Sequence, residues 1–159
     1  MIRIRGFQPA DRDRLKDITE QTFGAVSIDA AIEERFGPVG PTNWAQRKRR
    51  HLDWDCDANP DGVLVAEDDS RQVVGFVTTR IDSETAIGWI PNLAVVPAVQ
   101  GQGVGKQLMQ AALDYLRAAG MAGVRIETLA HNPVGTKFYP ASGFVEVARQ
   151  VHYFMRLNA

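Results

Sequence analysis

Between Ile90 and Leu116 the chain reads IPNLAVVPAVQGQGVGKQLMQAALDYL, and no other segment limits the fold as much. An apolar run, Leu93-Ala94-Val95-Val96, stops at Pro97. A loop follows with Gly101, Gly103 and Gly105 at alternate positions, interleaved with Gln100, Gln102, Val104 and Lys106. Beyond it the spacing turns helical, with Leu108, Ala112 and Tyr115 on one side, joined by Met109, Leu113 and Leu116. A strand, a Gly-rich turn and the free amides of a helix N-terminus together make a site for a phosphate-bearing ligand.

Two nucleotide motifs compete for this turn, and both fail. A P-loop needs Gly-x4-Gly-Lys-Ser/Thr, but position 100 is Gln and position 107 is Gln, so no hydroxyl is placed to hold magnesium. The dinucleotide fingerprint needs Gly-x-Gly-x-x-Gly, and its third glycine falls on Lys106 or on Leu108. What fits is Gln-x-x-Gly-x-Gly after a Leu-x-Val strand and a Pro. This arrangement resembles the acetyl-CoA signature of the GNAT superfamily of N-acetyltransferases. The resemblance implies that the backbone of Leu93, Ala94 and Val95 pairs with the pantetheine arm. It also implies that the loop Gln100, Gly101, Gln102, Gly103, Val104, Gly105 and Lys106 binds the pyrophosphate.

A second constellation runs from Glu127 to Tyr139, ETLAHNPVGTKFY. The spacing of Glu127, Asn132 and Tyr139 resembles the ribosomal-protein alanine N-acetyltransferase branch of that superfamily. By that resemblance Glu127 is a general base acting through water and Tyr139 a general acid, the two catalytic residues. Asn132 is either a cofactor contact or a helix cap. The chemistry is consistent: an amine must be neutral to attack, and an α-amine (pKa about 8) loses its proton more readily than a lysine (about 10.4). Asp82 and Glu84 are alternative bases, each also readable as a turn residue. Pro140 disfavours helical geometry at Tyr139.

The rest of the chain frames these motifs. At 159 residues it reads as one domain, 1–159, able to bury roughly 70% of its unfolded surface. Its net charge of −1 argues against nucleic-acid binding. No apolar run reaches the roughly 20 residues of a membrane span, and Met1 to Asp13 lacks the apolar core of a signal peptide. Cys56 stands alone, which suits a reducing cytoplasm. The histidines, His51, His131 and His152, have no metal-like spacing, and Asp53, Asp55 and Asp57 lack the Gly and Glu of a calcium loop, so no metal is expected. Arg47-Lys48-Arg49-Arg50 reads as a solvated helix face, or else as an attractor for an acidic partner.

Strands are expected at Ile2–Arg5, Gly62–Glu67, Gln72–Ile81, Thr85–Val96 and Gly123–Leu129, with a closing hairpin from Phe144–Arg149 and Val151–Leu157. Helices are expected after an Asp11 cap, over Ile28–Phe36, after a Thr42 cap, after the glycine loop to Gly120, and from Asn132-Pro133 to Gly143. That order gives a mixed α/β fold: a central, mostly antiparallel sheet of about six to seven strands with helices on both faces. The GNAT fold has the same order. The chain therefore reads as an acetyl-CoA-dependent N-acyltransferase acting on a primary amine, with acetyl-CoA as cosubstrate. A noncatalytic acyl-CoA-binding module is the rival reading. Dimers are common in the superfamily, so a homodimer is expected by analogy.

Overall fold

The structure is a computed structural model and describes residues 1–157. Five strands, β1 (Arg3–Gly6), β2 (Leu64–Glu67), β3 (Val73–Arg80), β4 (Ile87–Val95) and β5 (Gly123–Arg125), lie in one sheet in sequence order. Each of the first four runs antiparallel to its neighbour, and β5 runs parallel to β4. The helices are α1 (Arg12–Phe23), α2 (Ile28–Phe36), α3 (Trp44–Ala58), α4 (Val104–Ala118) and α5 (Gly135–Ala141).

Consecutive residues of a strand point to opposite faces, and β3 shows which helix covers which. The Thr78 hydroxyl accepts from Asn92, which also reaches Asp55 of α3. The Thr79 hydroxyl sits on the other face, beside Asn59, whose side chain accepts from Tyr115 of α4. α1 and α3 thus pack on one face and α4 on the other. The core fills both layers: Leu15, Ile18, Leu52 and Cys56 on one side, and Val104, Leu108, Met109, Ala112 and Leu116 on the α4 side. Burial pushes the Cys56 thiol up to about 11, so it stays protonated and unreactive.

Local signals fix several ends. Ser27 caps α2 by accepting from the Ala30 amide, and Gly37, at φ 70°, stops it. Asp68 accepts from the Ser70 and Gln72 amides and closes the β2–β3 turn.

Four expectations are corrected. The sheet has five strands among the described residues, because residues 144–157 run outside any ladder. Their alternation has the strand period, but a strand exists only through pairing, and this stretch meets no partner edge within its own copy. Asp11 does not cap α1 with its side chain; Arg5 holds its carboxylate at 2.7 and 2.9 Å, and the Gln8 amide donates to it as well. Asn43, one residue past Thr42, caps α3 in a reciprocal box with Gln46. α5 begins at Gly135, later than Asn132-Pro133, and continues through Tyr139 and Pro140. Packing of Tyr139 against Phe138 and Phe144, with Ser142 and Phe144 amides bonded to its carbonyl, outweighs the proline's local preference.

Candidate active site

The strand that leads into the glycine loop is paired on one side only for most of its length. β5 meets β4 at Ile87↔Gly123, Gly88↔Val124 and Trp89↔Arg125, and no further. From Ile90 to Val95 the β5-facing edge of β4 is open. The Val96 amide donates to the Val74 carbonyl, and in an antiparallel ladder hydrogen-bonded pairs alternate with non-bonded ones. Ala94↔Phe76 is therefore a bonded pair, while Leu93↔Val77 and Val95↔Gly75 turn their N–H and C=O groups away from β3. Of the three residues expected to meet a ligand's amides, Leu93 and Val95 offer backbone groups to the open edge, whereas those of Ala94 face β3.

At the end of this edge a 3-10 turn, Pro97–Val99, leads into the loop. Gln100 reaches back and donates to the Val95 carbonyl at 2.8 Å. Gly101 and Gly103 hold φ of 77° and 81°, a region where a side chain costs about 1–2 kcal/mol. Nothing lies within 4 Å of a Cβ built on either, so the demand for glycine there comes from the backbone conformation. Gly103 is the N-cap of α4; Gly101, Gln102, Gly103 and Lys106 are exposed, while Val104 anchors the helix start in the core. The first amides of α4 thus open onto solvent beside the free β4 edge, and a helix N-terminus so exposed favours negative charge.

α5 closes the other side of this loop. A Cβ on Gly105 would lie 3.6 Å from the Phe138 ring and 3.9 Å from Val95, so helix start, strand end and α5 converge there. Tyr139, next to Phe138, packs against the core and between aromatic rings 5.7 and 6.1 Å away. Burial alone pushes its phenol up to about 12. Asn132 is committed to the turn before α5: it donates to the Thr128 hydroxyl at 2.8 Å and accepts from the Val134 and Gly135 amides. Glu127 is exposed, two residues beyond the end of β5. Asp82 caps its own turn through the Glu84 and Thr85 amides, and hydrogen bonding to Thr85 lowers its pKa.

On the α3 face the structure assembles residues that sequence reasoning missed. Asp55, buried on α3, accepts from Arg80 at 2.5 Å and from Asn92 at 2.7 Å. Trp89 lies between Arg80 and Arg125, with guanidinium carbons 5.2 and 4.9 Å from its ring, and its buried indole N–H has no partner among the described residues. Arg80, Trp89 and Arg125, with Ile81, Asp82, Thr85 and Ile87, line a cleft of about 500 Å³ beside the point where β4 and β5 part. Asp55 is 37 residues from Asn92 in the chain, and no local pattern announces the pair. The other aspartates of that run serve α1: Asp53 pairs with Arg12 and Lys16, and Asp57 with Arg12.

The basic run on α3 is not a free face. Arg47 binds Asp29 and Glu33, Arg49 binds Asp17 and Glu20, Lys48 lies over the Phe23 ring and Arg50 over Trp54. Burial lowers the Lys48 pKa. Among the described residues no group of His, Cys, Asp and Glu is arranged to hold a metal ion, and no helix is long and apolar enough to cross a membrane.

A sheet that opens beside its fourth strand, onto a glycine loop and a helix N-terminus, defines a class of protein. The model described as the acetyltransferase (GNAT) family matches residues 28–144, and the chain belongs to that family. A mycothiol acetyltransferase of Stackebrandtia nassauensis is 32% identical, with the alignment covering 98% of this chain and 48% of that protein, so this chain spans about half the length of that curated relative. Among solved structures, PH1933 from Pyrococcus horikoshii OT3 superposes with a TM-score of 0.73 at 21% identity, over 95% of this chain and 93% of that one. A PaiA N-acetyltransferase from Thermoplasma acidophilum, solved in complex with coenzyme A, has a TM-score of 0.68 at 22% identity, over 89% and 87% of the two chains. Likeness at these identities establishes the fold: a mixed α/β sheet of the GNAT type.

Proposed function

We propose that this chain is an acetyl-CoA-dependent N-acetyltransferase that moves the acetyl group to a primary amine by direct attack. The observation that carries the reading is the open edge of β4, whose Leu93 and Val95 backbone groups lead straight to the amides at the start of α4. The pantetheine amides bond to that edge as an added strand, and the pyrophosphate sits on the loop from Gln100 to Lys106. Coenzyme A bound to the Thermoplasma relative of the same fold supports acetyl-CoA as the cosubstrate.

In the reaction the amine nitrogen bonds to the thioester carbonyl carbon, the C–S bond breaks, and the Val95 amide stabilises the developing oxyanion. Glu127 takes the ammonium proton through water. Tyr139 serves the departing sulfur, and its raised pKa defines how. Burial holds the phenol in its protonated form, a donor ready at the sulfur. Tyr139 therefore donates a hydrogen bond to the sulfur as charge builds. Asn132 shapes the turn that positions α5. The cleft around Trp89 lies on the acceptor side. The same reading places the enzyme in the cytoplasm as a homodimer, with neither nucleic acid nor membrane taking part.

Calorimetric titration with acetyl-CoA, beside the Gly103→Arg variant, tests the donor site. Binding on the order of micromolar, lost in the variant, is the expected result; no binding by the wild type would overturn the reading. Release of free thiol with a panel of primary amines then separates an enzyme from a noncatalytic acyl-CoA-binding module, which binds the donor and releases none.

A further inference from the structure

We propose that the cleft at Trp89 binds a carboxylate of the acceptor, held by Arg125 with help from Arg80, so that the preferred acceptors are acidic peptides. The proposal rests on the transferase reading above and names the class of acceptor that reading leaves open.

Arg80, Trp89 and Arg125 form one row across three strands. Arg80 stands opposite Trp89 in the β3–β4 ladder, and Trp89 stands beside Arg125 in the β4–β5 ladder. Paired residues share a face of the sheet, and Arg80 donates to Asp55 of α3, so the row lies on the α3 face. Both guanidinium groups lie over the Trp89 ring. A guanidinium held against an aromatic ring keeps its edge N–H groups for a planar oxyanion, which it meets with two parallel hydrogen bonds.

The two cations are not matched alike. Arg80 places Nε and one Nη on a single Asp55 oxygen, which leaves its other Nη for a ligand. Asp82, the one acid lining the cleft, turns an oxygen to the Glu84 and Thr85 amides of its own turn. Arg125 is exposed beside the ring and has no carboxylate partner among the described residues. Two guanidinium groups gathered on one ring repel each other, and Asp55 answers only one of them. A single further negative charge completes the row, which suits a carboxylate. Ile81 and Ile87 wall the cleft, and apolar walls strengthen a charge-assisted bond made between them.

The fold also sets where that carboxylate sits in the acceptor. Trp89 precedes Leu93 by four residues and Val95 by six, which is about 13 and 20 Å along a strand. The anion is thus held well away from the amine that meets the thioester at that edge. A free α-amino acid joins its two groups through one carbon and cannot span the gap. An extended peptide, rising about 3.3 Å per residue, spans it with an acidic side chain four to six residues from its free α-amine.

Hexapeptide amides with a free N-terminus and a single Asp, placed at positions 2 to 6 in turn, provide the test. Each is compared with its Asn counterpart by release of free thiol from acetyl-CoA. With Asp at position 4, 5 or 6, kcat/KM should exceed that of the Asn peptide about 10-fold at best, and Asp at position 2 should bring no gain. In Arg125→Gln the Asp-to-Asn ratio should fall to about one, and Arg125→Lys should restore part of it. Because the readout is a ratio, a loss of folded protein or of donor binding common to both peptides cancels. Equal rates for Asp and Asn at every position, or a gain that survives Arg125→Gln, overturns the inference. Transfer to simple amines but to none of these peptides also overturns it and leaves the transferase standing. Transfer to no amine at all overturns the transferase reading beneath it.

Discussion

Gln100 donates its side-chain amide to the Val95 carbonyl across 2.8 Å, so a single hydrogen bond ties the glycine loop to the open edge of β4. The two residues are five apart and bracket Pro97, so the bond closes the turn that leads into the glycine loop. Gln100→Ala removes the tie and leaves the loop to find its ligand-bound shape at binding. One such bond contributes about 1 kcal/mol, so the KM for acetyl-CoA should rise about 3- to 10-fold while kcat stays within about twofold. Steady-state kinetics with acetyl-CoA varied reads both numbers.

Tyr139→Phe bears on chemistry rather than donor binding. The ring keeps its contacts with Phe138 and Phe144, and only the hydroxyl is lost. We expect kcat to fall by roughly 10- to 100-fold, with the acetyl-CoA KM changing far less. An unchanged kcat takes Tyr139 out of the mechanism.

The same phenol sets an alkaline limit to stability. Burial raises it from 10.0 to about 12, so folding favours the neutral form. Below pH 10 neither state is ionised and the contribution is intact. Between pH 10 and 12 the unfolded chain loses the proton first, and stability falls as pH rises. The wild type should therefore lose about 2–3 kcal/mol more than Tyr139→Phe across that window. Urea midpoints for the two proteins at pH 9 and pH 11.5 measure the difference, and parallel curves would remove the assignment.

Asp55→Ala should destabilise the fold more than any exposed carboxylate replacement. It strands the Arg80 guanidinium and the buried Asn92 amide, which both donate to it. Removing one partner of a fully buried pair costs about 3–5 kcal/mol. Because the Arg80 side chain is 39% exposed, water softens the loss, and about 2–3 kcal/mol is expected. The denaturation midpoint should shift with the slope unchanged.

What could be read from the sequence followed the range of the interactions. The α2 boundaries, Ile28–Phe36, agree with the sequence expectation because Ser27 and Gly37 act within one turn. The glycine loop was legible for the same reason: positive φ at Gly101 and Gly103 is a local demand. Asp55 with Arg80 and Asn92 was not, since its partners lie 25 and 37 residues away and nothing near Asp55 anticipates them. Nor could Arg47 and Arg49 be told from solvated residues until α1 and α2 brought their carboxylates alongside. Alternation after Phe144 was visible as strand-like, but period alone does not say which edge a strand joins, or whose.

The half-paired β4 has a further consequence. A bare strand edge is adhesive, and proteins normally cover it to avoid sticking to one another. Here the adhesive stretch, Ile90 to Val95, is an inner seam, bordered by β5 at one end and by the meeting of α4 and Phe138 at the other. On the proposed function, that seam is kept for a single extended thread of amides and methylenes, which takes up the edge's hydrogen bonds and leaves none to a neighbouring sheet.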